Sequence, residues 1–318
     1  MKFPHQDPDF ADLISIVASD TGLGEAVIEK DYWVTHALWA LHQLSLEIWF
    51  KGGTSLSKGF GLISRFSEDV DLRIDPGLNT SLDNITNWRS KNPGIIRQRR
   101  QYFDTLERIL KVPDATIVTA QSRIDDQARG AMYLVQYPGA FLQRLPASMR
   151  PFIQLEVGYA RVDPNIERSL SSFIHDWLFD KGQIDEYLEN YPTNVRCVHP
   201  VVTLIEKIDA IIRRYDRDPF NPASFIRHYE DSAHIIRAID RIPPLVTPAY
   251  DLLMDMSDEK QIRRLPTSQD AAFLLDDSDK LEALLHHHEV ISPMFWGDRL
   301  TLEDACTTIR EWIQTELE

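Results

Sequence analysis

One short segment restricts the possible folds of this chain more than any other: Asp69-Val70-Asp71-Leu72, in which carboxylates alternate with apolar residues. An alternation with a period of two is typical of a β-strand, because successive side chains point to opposite faces. Val70 and Leu72 are therefore expected to face a core, while Asp69 and Asp71 project together. Two carboxylates about 6–7 Å apart along a strand predict either a site for hard cations such as Mg²⁺, which prefers oxygen ligands, or a solvated strand face.

A pair of glycines lies shortly before this strand. The predicted strand Ile48-Trp49-Phe50 runs into Lys51-Gly52-Gly53, and Thr54 and Ser55 then open a predicted helix. Glycine allows the backbone to approach a phosphate chain closely, and a helix N-terminus offers unpaired N–H groups. The sequence thus predicts a phosphate-binding turn, in which Thr54 and Ser55 either cap the helix or contact phosphate oxygens. The spacing is not that of a Walker loop, and such a turn is often purely structural.

Composition narrows the class of protein. The 318 residues carry 34 basic and 49 acidic side chains, a net charge of −15, which argues against a protein that binds nucleic acid non-specifically over its surface. Two distant cysteines, Cys197 and Cys306, form neither a disulfide framework nor a CxxC site, as is typical of a reducing compartment. There is no apolar run of about 18 residues and no secretory leader. We therefore expect a cytoplasmic protein with no membrane span.

The pattern of elements divides the chain into a mixed half and a helical half. Strands are predicted at 48–50, 70–74, 115–120, 131–136, 152–159, 169–175 and 195–198. In the first half, helices are predicted at 9–19, 24–45, 54–63 and 85–112, the last with a break at 92–94. After the last strand they are predicted at 202–215, 222–238, 245–256, 277–288 and 301–316. We predict an α+β fold with an α/β domain at residues 1–196, including N-terminal helices, and a helical domain at 197–318.

A phosphate-binding turn followed by a D-x-D strand is similar to the pattern of the DNA polymerase β-like nucleotidyltransferase superfamily. That pattern includes a third carboxylate from a later strand. Glu156 is the best candidate, because it alternates with the apolar residues Ile153, Leu155 and Val157; the alternative is an ordinary exposed glutamate. The resemblance implies a polymerase-β-like core and a Mg²⁺-dependent enzyme. Its one or two ions would be held by Asp69, Asp71 and Glu156, and the triphosphate would be cradled by Gly52, Gly53, Thr54 and Ser55.

Two strings, Lys51–Leu56 and Arg65–Leu72, more closely resemble the AbiEii family, the nucleotidyltransferase toxins of type IV toxin–antitoxin systems. The segment 28–35 resembles the helix that precedes the turn in that family. The segment 204–210 resembles the helix with the essential lysine, and 227–231 resembles the family's R-D-x-x-D segment, with His228 in place of its first aspartate. The resemblance covers roughly residues 25–240.

The resemblance implies roles for Lys207 and Asp231. Lys207 would bind the triphosphate and stabilise the charge that develops on the leaving pyrophosphate. Asp231 would orient a cation or a basic side chain, or assist the acceptor. The residues alone leave another interpretation open, in which Thr203, Lys207 and Arg214 form a solvated polar stripe of one helix.

The family also implies an RNA acceptor, with tRNA as the leading case, a growth-arresting toxin of a toxin–antitoxin or phage-defence pair, and a cognate antitoxin. Protein and small-molecule acceptors remain alternatives, as does a catalytically inactive module that binds nucleotide or docks a partner. A basic cluster with interleaved aromatic residues has three interpretations: an RNA-binding surface, a solvated helix face over buried aromatics, or an antitoxin docking site. Its members are Arg97, Arg99, Arg100, Arg108 and Lys111, with Trp88, Tyr102 and Phe103. The run His286–His288 is expected to be a surface feature.

Overall fold

The structure, a computed structural model, describes residues 1–67, 69–146 and 149–318, with the side chains of 119–123 left out. The described chain forms two compact units. The first comprises Met1–Gly59 and Phe66–Cys197, and the second comprises Phe60–Arg65 and Val198–Glu318. The combination of a mixed sheet with many helices confirms the predicted α+β class.

One mixed sheet organises the first unit. The described strands are β1 (Glu47–Lys51), β2 (Asp69–Asp75), β3 (Thr116–Ile124), β4 (Gly130–Gln136), β5 (Ile153–Gly158), β6 (Asn165–Arg168) and β7 (Val195–Val198). Their order in the sheet is β3-β4-β5-β2-β1-β7-β6. The strand β2 pairs antiparallel with β1 and parallel with β5. The acidic strand therefore lies in the middle of the sheet, where its position is fixed from both sides.

The predicted alternation along β2 is confirmed. Val70, Leu72 and Ile74 are buried, while the alternate residues, including Asp69 and Asp71, are only half-buried. The apolar residues anchor one face of the strand in the core, which leaves the carboxylates of the other face available for chemistry.

Helices pack around this sheet. Those of the first unit are α1 (Phe10–Thr21), α2 (Glu25–His42), α3 (Gly52–Thr54), α4 (Pro93–Ile109) and α5 (Phe173–Asp180). Even the charged run Glu29-Lys30-Asp31 of α2 is buried. Glu29 accepts the N–H of Phe141 at 3.0 Å, Lys30 donates to the carbonyl of Arg150 at 2.7 Å, and Asp31 pairs with Lys58. Buried charges need such partners, so α2 fixes two loops and the helical turn that contains Lys58.

Three predicted elements are corrected by the structure. The predicted strand at 169–175 is wrong: the strand lies at 165–168, and α5 then begins after Ser172, whose side chain caps it. The helix predicted from 85 starts only at Pro93, because Asn92 caps it by accepting the N–H of Gly94 at 2.8 Å. The helix predicted at 54–63 begins at Gly52 and continues as a π-helical turn that ends at Gly59.

The second unit contains helices, as the sequence pattern predicts for this region. The described ones are α6 (Pro200–Tyr215), α7 (Arg227–Arg237), α8 (Ala249–Asp258), α9 (Ala271–Leu274), α10 (Ser278–Val290) and α11 (Leu302–Glu316). The predicted apolar stripe of α6, which includes Leu204, Ile208 and Ile211, is buried. None of the described helices is both long and apolar enough to cross a membrane.

A network of neutral histidines stabilises the first unit. The side-chain nitrogen of Asn190 lies 2.8 Å from Nδ1 of His36, and its oxygen lies 2.7 Å from Nε2 of His175. The other ring nitrogens lie 3.1 Å from the carbonyl of Pro113 and 2.7 Å from the hydroxyl of Ser172. One proton on Nε2 of each ring satisfies all four contacts. Burial lowers the pKa of both His36 and His175 to about 4.

We expect acid to destabilise this unit below the ordinary histidine pKa. The unfolded chain binds protons at His36 and His175 near pH 6.5, whereas the folded chain resists them until about pH 4. The free energy of unfolding should therefore be constant above pH 6.5 and fall between pH 6.5 and 4, by roughly 3 kcal/mol per histidine at about 1.4 kcal/mol per pKa unit. Urea unfolding across this range measures the slope. His175→Gln should flatten it and the exposed His286→Gln should not; equal slopes in both variants would contradict the prediction.

Candidate active site

The sheet brings three of the predicted site residues onto neighbouring strands. Asp71 of β2 is aligned with Lys51 of β1 on one side and with Glu156 of β5 on the other. Asp69 is aligned with Gln154 of β5. Neighbouring strands are about 4.8 Å apart, and residues in register share a face. The carboxylates of Asp69, Asp71 and Glu156 therefore belong to one small area of the sheet.

Gly52 lets the turn come into contact with this area. Its φ angle is +74°, and a Cβ atom at this position would lie 1.9 Å from Oδ2 of Asp71. Any other residue would therefore collide with the carboxylate and strain the backbone as well. The glycine that the sequence suggests for phosphate approach is required here, because the turn lies directly against an aspartate.

Gly52→Ala is expected to displace Asp71 and to reduce nucleotide transfer at least tenfold, the effect of moving a catalytic group by about 1 Å or more. Gly22→Ala is the matched control, because Gly22 also has a positive φ of 73° but has open space where a Cβ would lie. Both variants carry the left-handed strain of about 1–2 kcal/mol, and only one has the collision. Label transfer from an NTP, measured beside thermal unfolding, distinguishes them. Similar activity in the two variants would show that the position of Asp71 tolerates the change.

The hydroxyl group of Thr54 is engaged within the protein. Thr54 and Ser55 are both buried, and Oγ1 of Thr54 donates to the carbonyl of Asp69 at 2.6 Å. Thr54 thus connects the turn to the start of β2. Nucleotide contact by Gly52, Gly53, Thr54 and Ser55 stays a prediction, and in this geometry it would involve the backbone.

Two further polar residues connect the carboxylates, and sequence reasoning missed both. Nη1 of Arg150 lies 3.7 Å from Oδ1 of Asp69 and donates to the side-chain oxygen of Gln154. The side-chain nitrogen of Gln154 in turn donates to Glu156 at 2.6 Å. Arg150 offsets part of the negative charge of the cluster, and Gln154 orients Glu156. The sequence contains one signal for the role of Gln154, because Gln154 and Glu156 are two residues apart on a predicted strand and therefore share a face.

The oxygen donors of these carboxylates are the ligand type that Mg²⁺ prefers. The carboxylate of Asp71 also lies against the glycine turn, in the space where a side chain of residue 52 would be. Within the described residues, no three His, Cys, Asp or Glu side chains converge as a complete metal site. Mg²⁺ commonly takes only one or two protein carboxylates and completes its shell with water and substrate phosphates. Asp69 and Asp71, with Glu156 beside them, are suited to that partial role.

A cavity of about 350 Å³ opens over this area. Lys51, Asp71 and Glu156 line it, and so do Asp125 and Tyr159, which directly follow β3 and β5. The candidate carboxylates therefore share a cavity with an exposed aromatic ring.

The second unit contains the other predicted residues, Lys207 and Asp231. Nζ of Lys207 donates to Oδ2 of Asp231 at 2.7 Å, and Arg65 donates to both oxygens of Asp231 at 2.7 Å. All three side chains are buried, so the interpretation of Lys207 as part of a solvated stripe is wrong. Arg65, which sequence reasoning did not single out, belongs to the same string as Asp69 and Asp71.

The charges in this cluster determine its protonation. Burial would raise the pKa of Asp231, but Arg65 and Lys207 outweigh burial and hold that pKa well below its usual range. Burial lowers the pKa of Lys207, and Asp231 opposes the change. Burial, with the neighbouring cations, lowers the pKa of His228 well below its usual value, so that its ring is neutral. Arg65 and Lys207 are thus both paired with Asp231, and the neutral imidazole of His228 lies 3.4 Å from Nζ of Lys207.

The basic cluster on α4 is only partly a surface. Arg99 is fully buried, and so are Trp88, Tyr102 and Phe103. The interpretation of these three aromatic rings as stacking platforms for bases is therefore wrong, whereas the interpretation as buried aromatics is confirmed. In the run His286–His288, the last ring is not simply exposed, because it contacts Arg299 at 3.1 Å.

A comparison with known protein families matches residues 36–295 to the family described as "Nucleotidyl transferase AbiEii toxin, Type IV TA system". The chain belongs to this family. The match includes the turn, both carboxylate strands, Lys207 and Asp231, and it extends the resemblance beyond residue 240. It establishes a nucleotidyltransferase fold and the role of a nucleotidyltransferase toxin, with an NTP substrate and an antitoxin partner as the family implies.

Two further comparisons add little. The crystal structure of JHP933 from Helicobacter pylori is 15% identical and has a TM-score of 0.42, with 92% of this chain and 91% of that chain covered. No curated protein matches.

Proposed function

We propose that this chain transfers a nucleoside monophosphate from an NTP to RNA, with tRNA as the first candidate, in a reaction that depends on Mg²⁺. One observation carries the catalytic part: the sheet register sets Glu156 beside Asp71 while Gly52 brings the glycine turn against the same carboxylate. The family supports the toxin role. We further propose that transfer arrests growth in the cytoplasm, that a cognate antitoxin prevents it, and that the pair acts in phage defence.

In the proposed reaction, the oxygen of an acceptor hydroxyl forms a bond to the α-phosphorus of the NTP, and the hydroxyl proton passes to water. The bond to the β-phosphate oxygen breaks, and pyrophosphate leaves. Asp69, Asp71 and Glu156 would hold one or two Mg²⁺ ions, which when bound would neutralise phosphate charge and lower the pKa of the attacking hydroxyl. The turn at 52–53 admits the phosphate chain, and Gln154 keeps Glu156 oriented toward the same area.

For Lys207 we propose the role that the family resemblance implies, binding of the triphosphate. The contact with Asp231 at 2.7 Å holds the ammonium group in a fixed position, which supports a donor that needs no rearrangement on binding. Asp231 then acts through Lys207 as a positioning residue.

The decisive experiment incubates the purified full chain with total RNA and each α-labelled NTP, with and without Mg²⁺. Mg²⁺-dependent label in RNA is the expected result, and sequencing of the labelled RNA identifies the acceptor. Label on protein alone would show that the acceptor is a protein and not RNA. No label on any acceptor and no pyrophosphate release would favour an inactive module of the same fold.

A further inference from the structure

We propose that the acceptor binds at the Tyr159 end of the cavity, where Tyr159 and Arg89 receive the single-stranded end of a polynucleotide. The inference rests on the proposed function and names the surface that would hold its acceptor. It places RNA contact at residues that the basic pattern of α4 alone does not indicate.

The shape of the cavity is the first argument. Its lining runs without interruption from Asp71 and Glu156 to Gly158, Tyr159 and Ala160. An acceptor hydroxyl must reach the carboxylates, and the rest of the acceptor must leave the cavity at some point. The ring of Tyr159 is 37% exposed and lies on that route.

A packed column of aromatic rings ends at this point, in which the rings of Trp88 and Tyr159 stack with their centres 6.1 Å apart and guanidinium groups lie against them. The guanidinium of Arg73 lies 5.5 Å from the buried ring of Trp88 and 5.4 Å from the ring of Tyr159. The guanidinium of Arg89 lies 5.6 Å from the same tyrosine ring. Arg73 is itself fixed by a two-point contact with Asp75 at 2.9 Å. The column is thus anchored in the core, and its outer members are exposed planar groups, on which a nucleobase can stack.

Arg99 connects the backbone segments that carry the arginine residues beside this column. Its buried guanidinium donates to the carbonyls of Trp88 at 2.6 Å, Ser90 at 2.8 Å and Gln127 at 2.8 Å. One side chain thereby ties the loop before α4 to the turn between β3 and β4. A buried cation with this many carbonyl partners has a structural role, so Arg99 does not contact a ligand but holds in place those residues that can.

The residues held in this way carry a net positive charge. Arg129 donates to the carbonyl of Arg89 at 3.2 Å, and its own carbonyl accepts the N–H of Tyr159 at 2.9 Å. Arg100 donates to the carbonyl of Asp126 at 3.2 Å. Asp125 and the exposed Asp126 are opposing charges in the turn before Arg129, and the carboxylate of Asp125 accepts the N–H of Arg129 at 2.7 Å. Three arginines beside an exposed ring suit a phosphate backbone with unstacked bases.

The other end of α4 provides a control within the same helix. Arg108 is exposed and lies about 12 Å along the helix axis from Arg100, at 1.5 Å per residue. It contacts its own helix through the carbonyl of Asp104 at 3.2 Å and does not line the cavity. A purely electrostatic effect of net charge would make Arg100 and Arg108 equivalent, whereas the proposed site distinguishes them.

The test measures binding of a short fluorescein-labelled single-stranded RNA with a free 3′ hydroxyl, by fluorescence anisotropy at several salt concentrations. Tyr159→Ala should weaken binding about tenfold, as for the loss of one stacked base, and Tyr159→Phe should retain it. Arg89→Ala should weaken binding and reduce the salt slope by about one. Arg108→Ala should bind as the wild type does. Thermal unfolding should show all four variants folded, with Tyr159→Ala less stable because its ring packs on Trp88, and the Kd for the NTP with Mg²⁺ should be the same in all four.

Transfer assays separate failure of this inference from failure of the proposed function. If the wild type labels RNA and Tyr159→Ala does so with an unchanged KM for RNA, the acceptor binds elsewhere and the transferase assignment stands. If Tyr159→Phe fails as Tyr159→Ala does while both remain folded, stacking is not the interaction. If the wild type transfers label only to protein, both the proposal of a polynucleotide acceptor and the proposal that this surface binds it are wrong.

Discussion

Replacement of Asp71 by Asn is expected to abolish nucleotide transfer, with a loss of at least about 10²–10³-fold, the effect of removing one preorganised charge-stabilising group. The amide keeps the size of the side chain and removes the negative charge that a hard cation requires. Asp71 lies at the centre of the candidate site, since Lys51, Glu156 and Gly52 all lie next to it. No other described residue has all of these neighbours.

The fold should survive the substitution, because the strand is anchored by the apolar residues of its other face. Val70 and Leu72 are almost completely buried, and the backbone pairing of β2 does not depend on the carboxylate. Asp83→Asn, in an exposed loop, is the matched control for loss of one negative charge. Label transfer from each NTP and thermal unfolding should be measured on both proteins. Full activity in a folded Asp71→Asn protein would rule out the carboxylate mechanism.

The local part of this site could be predicted from sequence. Alternation of charge and apolarity determined the face of β2 on which Asp69 and Asp71 project, because a period of two has only one structural interpretation. The same rule selected Glu156. The pattern did not show which strands are neighbours. In the structure β5 lies beside β2 and Glu156 is aligned with Asp71, a pairing between segments more than 80 residues apart.

Contacts between distant residues account for most of what was missed. Nothing in the local sequence distinguishes Arg99, which ties loops together from the core, from the exposed Arg100 next to it. The same holds for Arg150, which approaches Asp69 only because Lys30 of α2 holds its backbone. The basic pattern of α4 was therefore a poor guide to a ligand surface, since charge in a sequence does not specify which arginine is buried.

The cluster in the second unit provides a sharp test of how buried charge is balanced. Asp231 accepts hydrogen bonds from two buried cations, Arg65 and Lys207. Removal of the anion takes away the partner that both cations share, whereas removal of Lys207 leaves the pair between Arg65 and Asp231 in place. Because an uncompensated buried charge is far more costly than a lost ion pair, the two substitutions should differ greatly in stability although they break the same contact.

Asp231→Asn is therefore expected to reduce the free energy of unfolding by about 3–5 kcal/mol, whereas Lys207→Met, which preserves most of the side-chain volume, should change it by about 1 kcal/mol or less. Urea unfolding of both variants at neutral pH measures the difference. Lys207→Met should also lose nucleotide transfer while it remains folded, if the family role of the lysine holds. Equal destabilisation by the two substitutions would mean that Arg65 and Lys207 have another source of compensation. A stable but active Lys207→Met protein would instead show that the lysine serves only to balance Asp231, because its charge could then be removed without effect on the chemistry.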